Sequence, residues 1–119
     1  MSQSLPDPLP KEMMPLLNQT QFEVLLGRAP SEEPVPSLAV IYFTASWCKA
    51  CKRLDLDAIV KSLPKATWFK CDIDQNDYTA GYCGIRSIPT FLVIQDKKVV
   101  SQLGDSRTEK VVEWTQRFC

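Results

Sequence analysis

The stretch Leu38–Lys52, LAVIYFTASWCKACK, constrains this chain more than any other. It opens as an uninterrupted apolar run, Leu38-Ala39-Val40-Ile41-Tyr42-Phe43, rich in β-formers and long enough for a strand buried on both faces. Thr44-Ala45-Ser46 turns it, and helical periodicity follows from Trp47-Cys48-Lys49-Ala50-Cys51-Lys52 onward. A Cys-x-x-Cys pair placed where a buried strand becomes a helix reads as a thiol–disulfide switch or as metal ligands. A helix N-terminus presents unpaired N–H groups and a partial positive charge, and both favour a thiolate over a thiol.

The rest of the composition narrows the setting. A chain of 119 residues is one domain with one core. With 45% hydrophobic and 24% charged residues it is not globally disordered. Its 14 basic and 14 acidic residues cancel, so nothing favours a nucleic acid or an anionic membrane as partner. No apolar run approaches the roughly 20 residues that span a bilayer. The start, Met-Ser-Gln-Ser-Leu-Pro-Asp-Pro, has neither a basic n-region nor an apolar h-region, and arginine is missing from the first 27 residues. A cytoplasmic location is therefore expected. The 5 cysteines contain only one close pair, so in a reducing compartment Cys48 and Cys51 read as catalytic or metal-binding and the others as free thiols. A zinc site needs four ligands. With no histidine in the chain it would have to draw on Cys71 and Cys83 or on carboxylates, at irregular spacings, so no metal or cofactor is expected.

Residues 1–12 are proline-rich and poor in apolar residues, which predicts a flexible tail ahead of a domain over 13–119. Met13–Leu17 fits a short edge strand, since Pro15 bars it from the middle of a sheet. Thr20-Gln21-Phe22-Glu23 fits a capping box opening a helix that ends near Gly27, and Arg28–Ser37 is a solvated loop. Leu54, Ile59, Val60 and Leu63 support one helix from about Cys48 to Leu63, stopped by Pro64. Thr67–Asp74 is a strand, Gln75–Tyr82 a helical turn, Phe91–Gln95 and Val99–Leu103 a hairpin. Ser106–Glu109 fits a second capping box, leading a last helix with Val111, Trp114 and Phe118 on one face. The expected class is α/β, a central mixed sheet flanked by helices on both faces.

This order, with a CxxC after the central strand and Ile88-Pro89-Thr90 before the hairpin, resembles the thioredoxin family from about Leu16 to Cys119. The residues that carry the resemblance are Phe43, Ala45, Trp47–Lys52, Phe69-Lys70, Asp72–Asn76, Gly84–Thr90 and Gly104. It implies the thioredoxin fold and protein thiol–disulfide exchange. Cys48 would be the exposed nucleophile and Cys51 the resolving thiol of a redox-active disulfide. It also implies a cis Ile88–Pro89 bond facing the sulfurs, which leaves the Ile88 backbone free to pair with an extended client. Trp47 would be an apolar platform beside the sulfurs, and Gly104 would allow close approach of the partner backbone.

The departures from the family pattern bear on rate and potential. Lys49-Ala50 replaces the usual Gly-Pro spacer. An ammonium contact worth about 0.5–1 kcal/mol would move the potential only about 10–20 mV toward oxidising. Tyr42 stands where the family buries an aspartate that takes the proton of the resolving thiol. A phenol with a reference pKa of about 10 cannot do that at pH 7, so a slower resolving step is expected. Lys70 falls where the family has a lysine near that carboxylate. It would turn outward, donate to Tyr42 or lose its proton. Leu56 replaces a helix-kinking proline, so an unbroken helical ladder is expected there.

Of the other cysteines, Cys71 reads as a small buried hydrophobe and Cys83 as a packing or a regulatory thiol. Cys119 reads as exposed and incidental, with an oxidised dimer as the other reading. Trp68, Trp114 and Phe118 read as core, and Arg86 as a surface charge. The leading expectation is a monomeric dithiol oxidoreductase acting on disulfide-containing client proteins and re-reduced by a reductase or a small dithiol. The competing expectation is a redox sensor or scaffold with the same fold and weak turnover. A metal- or cluster-bridged assembly through the CxxC is a third.

Overall fold

The computed structural model describes residues 13–119, and the tail expected over 1–12 lies outside them. The apolar run becomes β2 (Leu38–Thr44), in which every residue is buried. Around it the described residues form one five-stranded sheet in the order β1-β3-β2-β4-β5. The other strands are β1 (Met13–Pro15), β3 (Thr67–Asp72), β4 (Thr90–Gln95) and β5 (Lys98–Gly104). β1 and β2 run parallel to β3, whereas β4 is antiparallel to β2 and to β5. The edge strand expected over Met13–Leu17 is observed over Met13–Pro15, and the next ladder bond runs from the Leu16 N–H to the Lys70 carbonyl, so Pro15's missing N–H costs the pairing little.

Alternation along β2 divides the core. Leu38, Val40 and Tyr42 face one side with Trp68, Phe91 and Val93, beneath α2 (Leu56–Lys61) and α4 (Thr108–Thr115). Ala39, Ile41 and Phe43 face the other side with Cys71, Leu92 and Ile94, beneath α1 (Gln19–Leu25) and α3 (Asp77–Tyr82). The helices are held by side-chain bonds as well as by packing. Asn76 is buried, accepts from the Thr79 amide to cap α3, and donates through Nδ2 to the Leu16 carbonyl. Trp68 Nε1 donates to the Leu63 carbonyl and Trp114 Nε1 to Ser101 Oγ, so both indoles are buried with their polar edge satisfied.

Three expectations about helices need correction. The helix expected from Cys48 to Leu63 is two pieces: a 3₁₀ turn over Cys51–Arg53, then α2, with Leu54 extended between them (φ −82, ψ 139). The expected unbroken ladder at Leu56 is therefore absent. Asp55 makes the break affordable, because its side chain caps the Ala58 amide while its own N–H donates to Thr108 Oγ1 at 2.9 Å. Leu56 is the first helical residue, a position that tolerates proline or any other residue. The cap of α1 is Asn18, which accepts from the Gln21 amide at 2.9 Å, and not Thr20. α4 starts at Thr108 behind Arg107, with no side-chain cap from Ser106. Asp105 engages the Arg107 amide and guanidinium instead, so Ser106 lies in a turn ahead of the helix.

Candidate active site

Cys48 and Cys51 are joined in a disulfide with Cα atoms 5.3 Å apart. The segment that carries them is a run of tight turns: the Cys48 amide donates to the Ala45 carbonyl, Lys52 to Lys49, Arg53 to Ala50 and Leu54 to Cys51. All these bonds span three residues, so no long helix dipole points at the sulfurs. The local donor is the Cys51 amide, 3.1 Å from Cys48 Sγ. A single N–H aimed at one sulfur does locally what the expected helix would have done, and it favours charge on Cys48.

The expectation that Cys48 is the exposed member of the pair is corrected. Cys48 is 4% exposed and Cys51 5%, so burial does not distinguish them. The asymmetry lies in the amide bond and in the neighbours. Trp47 is 61% exposed beside the pair, its Nε1 fixed by a 2.8 Å bond to Asp74 Oδ2. Lys49 is exposed and Ala50 half-buried between the cysteines.

The Ile88–Pro89 bond is cis, and the loop it belongs to leads straight into β4. Ile88 is half-buried and Pro89 buried. Thr90 Oγ1 donates to the Ser87 carbonyl at 2.7 Å and closes the loop on itself. Gly104 pairs with Thr90 at the end of β5, where an added Cβ would lie 3.4 Å from Thr90 Oγ1 and 3.8 Å from the Pro89 carbonyl oxygen. A side chain there would fill the space beside the proline loop. A cleft of about 270 Å³ joins Trp47 to Ile88 through Ile73, Ala80, Ile85, Arg86 and Ser87. Arg86, expected as a plain surface charge, is exposed and also lines this cleft. Ile73 and Ile85 belong to segments that carry the family resemblance but were not expected as site residues, and Ala80 was not singled out at all. Ile73 is tied to the end of β2 by its N–H to the Thr44 carbonyl, whereas Ala80 sits on α3 and Ile85 in the loop after it, held by its N–H to the Ala80 carbonyl.

Tyr42 sits two residues before the end of β2, on the face whose buried cluster includes the pair. It is 2% exposed, stacked on Phe91 with ring centroids 5.0 Å apart, and packed in the same cluster as Cys48 and Cys51. Lys70 is its register partner on β3 and is half-buried. No ion pair among the described residues involves Lys70. Cys71 and Cys83 belong to the opposite face of the sheet, so the four thiols do not converge. Burial pushes the Cys71 thiol up to about 12, with smaller contributions from Cys83 and Asp72, and pushes Cys83 up to about 11.

Comparison with known proteins places this geometry. The family model described as Thioredoxin matches residues 15–117. Thioredoxin of Ophiophagus hannah is 26% identical over 101 residues, covering 83% of this chain and 91% of that protein. Thioredoxin 2 of Chlorobaculum tepidum is 41% identical over 71 residues, 56% of this chain and 63% of its own length. The X-ray structure of Fasciola hepatica thioredoxin superposes with a TM-score of 0.74 at 28% identity, covering 88% of this chain and 98% of that one. The family match, the shared fold and a disulfide across the CxxC point to a thiol–disulfide oxidoreductase, and the chain belongs to the thioredoxin family.

Proposed function

We propose that this protein reduces or exchanges disulfides of client proteins through the Cys48/Cys51 dithiol. The observation that carries the reading is the Cys51 amide held 3.1 Å from Cys48 Sγ, beside an apolar cleft walled by Trp47 and Ile88. In the reduced protein the Cys48 thiolate attacks one sulfur of a client disulfide. A Cys48–client bond forms and the other client sulfur leaves as a thiolate. Cys51, once deprotonated, attacks Cys48 Sγ, releases the second client thiolate and closes the Cys48–Cys51 disulfide. Two electrons pass to the client, and a flavin-dependent reductase or a small dithiol restores the pair. Trp47 and Ile88 hold the client, Gly104 leaves room for its backbone, and Lys49 supports the Cys48 thiolate. A monomer in the cytoplasm, where clients and a thiol donor coexist, is the setting that suits this chemistry.

Tyr42 supports a second reading, a redox sensor or scaffold that turns over poorly. A buried phenol stacked on Phe91 supplies no proton acceptor for Cys51 at neutral pH. Insulin-disulfide reduction with dithiothreitol separates the two readings. The oxidoreductase reading expects turnover by the parent, its loss in Cys51→Ser, and mixed disulfides accumulating on the variant's Cys48. Parent activity at the level of dithiothreitol alone would leave the scaffold reading.

A further inference from the structure

At the opposite end of the molecule lies a cavity that the redox chemistry does not use. β4 pairs Thr90 with Phe43 near the disulfide and Gln95 with Leu38 at the far end of β2, so the β4–β5 turn is remote from Cys48. The cavity there measures about 410 Å³, and its lining includes Leu26, Arg28, Leu92, Lys97, Lys98 and Val99. Three of these residues are cations and none is a carboxylate. Glu23, beside Arg28, and Asp96, next to Lys97 in the chain, are not part of the lining. The ion pairs among the described residues leave both Lys97 and Lys98 unused.

The cations are fixed by two interlocked turns. α1 ends in a pair of bonds, Gly27 N–H to the Val24 carbonyl and Arg28 N–H to the Glu23 carbonyl, which set the Arg28 backbone. Arg28 then lies over the Tyr82 ring at 5.0 Å from its centroid and donates from Nη2 to the Tyr82 hydroxyl. One face of the guanidinium is covered and the side chain is still 52% exposed, so a flat cationic surface remains. Glu23, 3.6 Å from Nη1, offsets part of its charge and also accepts from Tyr78. Across the cavity the β4–β5 turn has positive φ at Asp96 (52) and Lys97 (70). Turns of this kind usually carry glycine or asparagine at the second position, because a side chain there is strained. Here a lysine holds it, and its stem lies against Gly27, where a Cβ would come within 2.7 Å of Lys97 Cδ. Strain accepted at Lys97 and a missing side chain at Gly27 together place an exposed cation on the cavity wall.

We infer that this cavity binds a compact organic polyphosphate, a molecule with a di- or triphosphate on a planar or apolar body. The phosphates would lie against Lys97 and Lys98, and the body against Arg28, Leu26, Leu92 and Val99. A cavity of this size suits a small molecule. A chain whose 14 basic and 14 acidic residues cancel offers no wider field to hold a long polyanion. Cys83 is a wall of the cavity and not its chemistry, because burial keeps its thiol protonated at neutral pH.

The test is calorimetric titration of the full chain with ATP free of divalent metal, with inorganic tripolyphosphate and with inorganic phosphate, all at one ionic strength. ATP should bind more tightly than tripolyphosphate, and tripolyphosphate more tightly than phosphate. The double variant Lys97→Gly/Lys98→Ala should lose about tenfold or more in ATP affinity. Glycine suits the positive φ at position 97, so this variant folds without the parent's strain, and its insulin-reduction rate should match the parent's. ATP heats no larger than those of phosphate, tripolyphosphate binding as tightly as ATP, or ATP affinity unchanged in the double variant would each overturn the assignment.

Discussion

On the proposed function, Tyr42 is the residue expected to set the rate of the resolving step. It is stacked on Phe91 in the buried cluster that holds both cysteines, and the family resemblance implies an aspartate at this position that would take the Cys51 proton. Tyr42→Asp should therefore speed release of the mixed disulfide about tenfold, below the roughly 10²–10⁴-fold of an ideally placed base. The same change should lower stability by about 3 kcal/mol or more, since it removes a stacked ring and buries a charge. Tyr42→Asn carries the same loss of volume without the base. Stopped-flow reduction of a mixed disulfide with both variants checks this, and equal rates for Asp and Asn would refute the proton-acceptor argument. The free thiols give a second prediction. With Cys71 pushed up to about 12 and Cys83 up to about 11, both chiefly by burial, neither should react with iodoacetamide in the native protein at pH 8, whereas exposed Cys119 should. In the unfolded chain these thiols ionise near 9. The folded state then holds more protons between that pH and about 11–12, so the stabilisation is complete below it and is lost as pH rises through that window. Urea titrations between pH 8 and 11 should show a smaller alkaline loss in Cys71→Ala than in the parent, by at most about 1.4 kcal/mol per pH unit.

At the scale of elements, caps decide where helices begin. Asn18→Ala should cost about 1 kcal/mol, whereas Thr20→Ala, one residue inside α1, should cost little. Equal losses in thermal melts of the two variants would return the cap to Thr20. Asp55 has a larger task, because it ends the interruption after the CxxC turn and ties α2 to the first residue of α4. Asp55→Ala should cost about 1 kcal/mol by the same measure and should fray α2, seen as faster amide exchange at Ile59 and Val60. The open edge formed by β5 is irregular. Its register to β4 shifts between Val93 and Ile94, leaving Val100 as an extra, exposed residue. A bulge of this kind, beside the lysines of the turn, discourages edge-to-edge pairing with another chain.

Over the whole molecule, the sheet separates two chemistries. The dithiol, Tyr42 and Trp114 share the face covered by α2 and α4, whereas Cys71 and Cys83 lie under α1 and α3. Trp114 joins the first face together. It contacts Phe91 and Phe118 with ring centroids 6.4 and 5.4 Å away and donates to Ser101 on β5. Trp114→Ala should remove about 3–5 kcal/mol of stability, and Trp114→Phe should recover most of it, as read by chemical denaturation. An equal loss in both variants would assign the indole N–H bond, and not the ring packing, as the main contribution. Among the described residues no helix is long and apolar enough to cross a membrane.

The sequence by itself determined the strand that runs into the CxxC, the order of the elements and the family. Each of these rests on local pattern: an apolar run buried on both faces, cysteines at a strand end, proline before a hairpin. Gly27, as the end of α1, was legible for the same reason, since only its own φ of 74 was at issue. Tertiary structure decided the rest. Asp55 marks the break because Thr108 Oγ1, 53 residues later in the chain, accepts from its N–H. Cys48 is buried because the turns fold it against the sheet, and Ile73, Ala80 and Ile85 meet Trp47 only where β3, α3 and the proline loop come together. The far cavity exists because two turns from distant parts of the chain meet at Gly27 and Lys97. Contacts between residues far apart in the chain leave no period in the sequence, so only the folded molecule shows them.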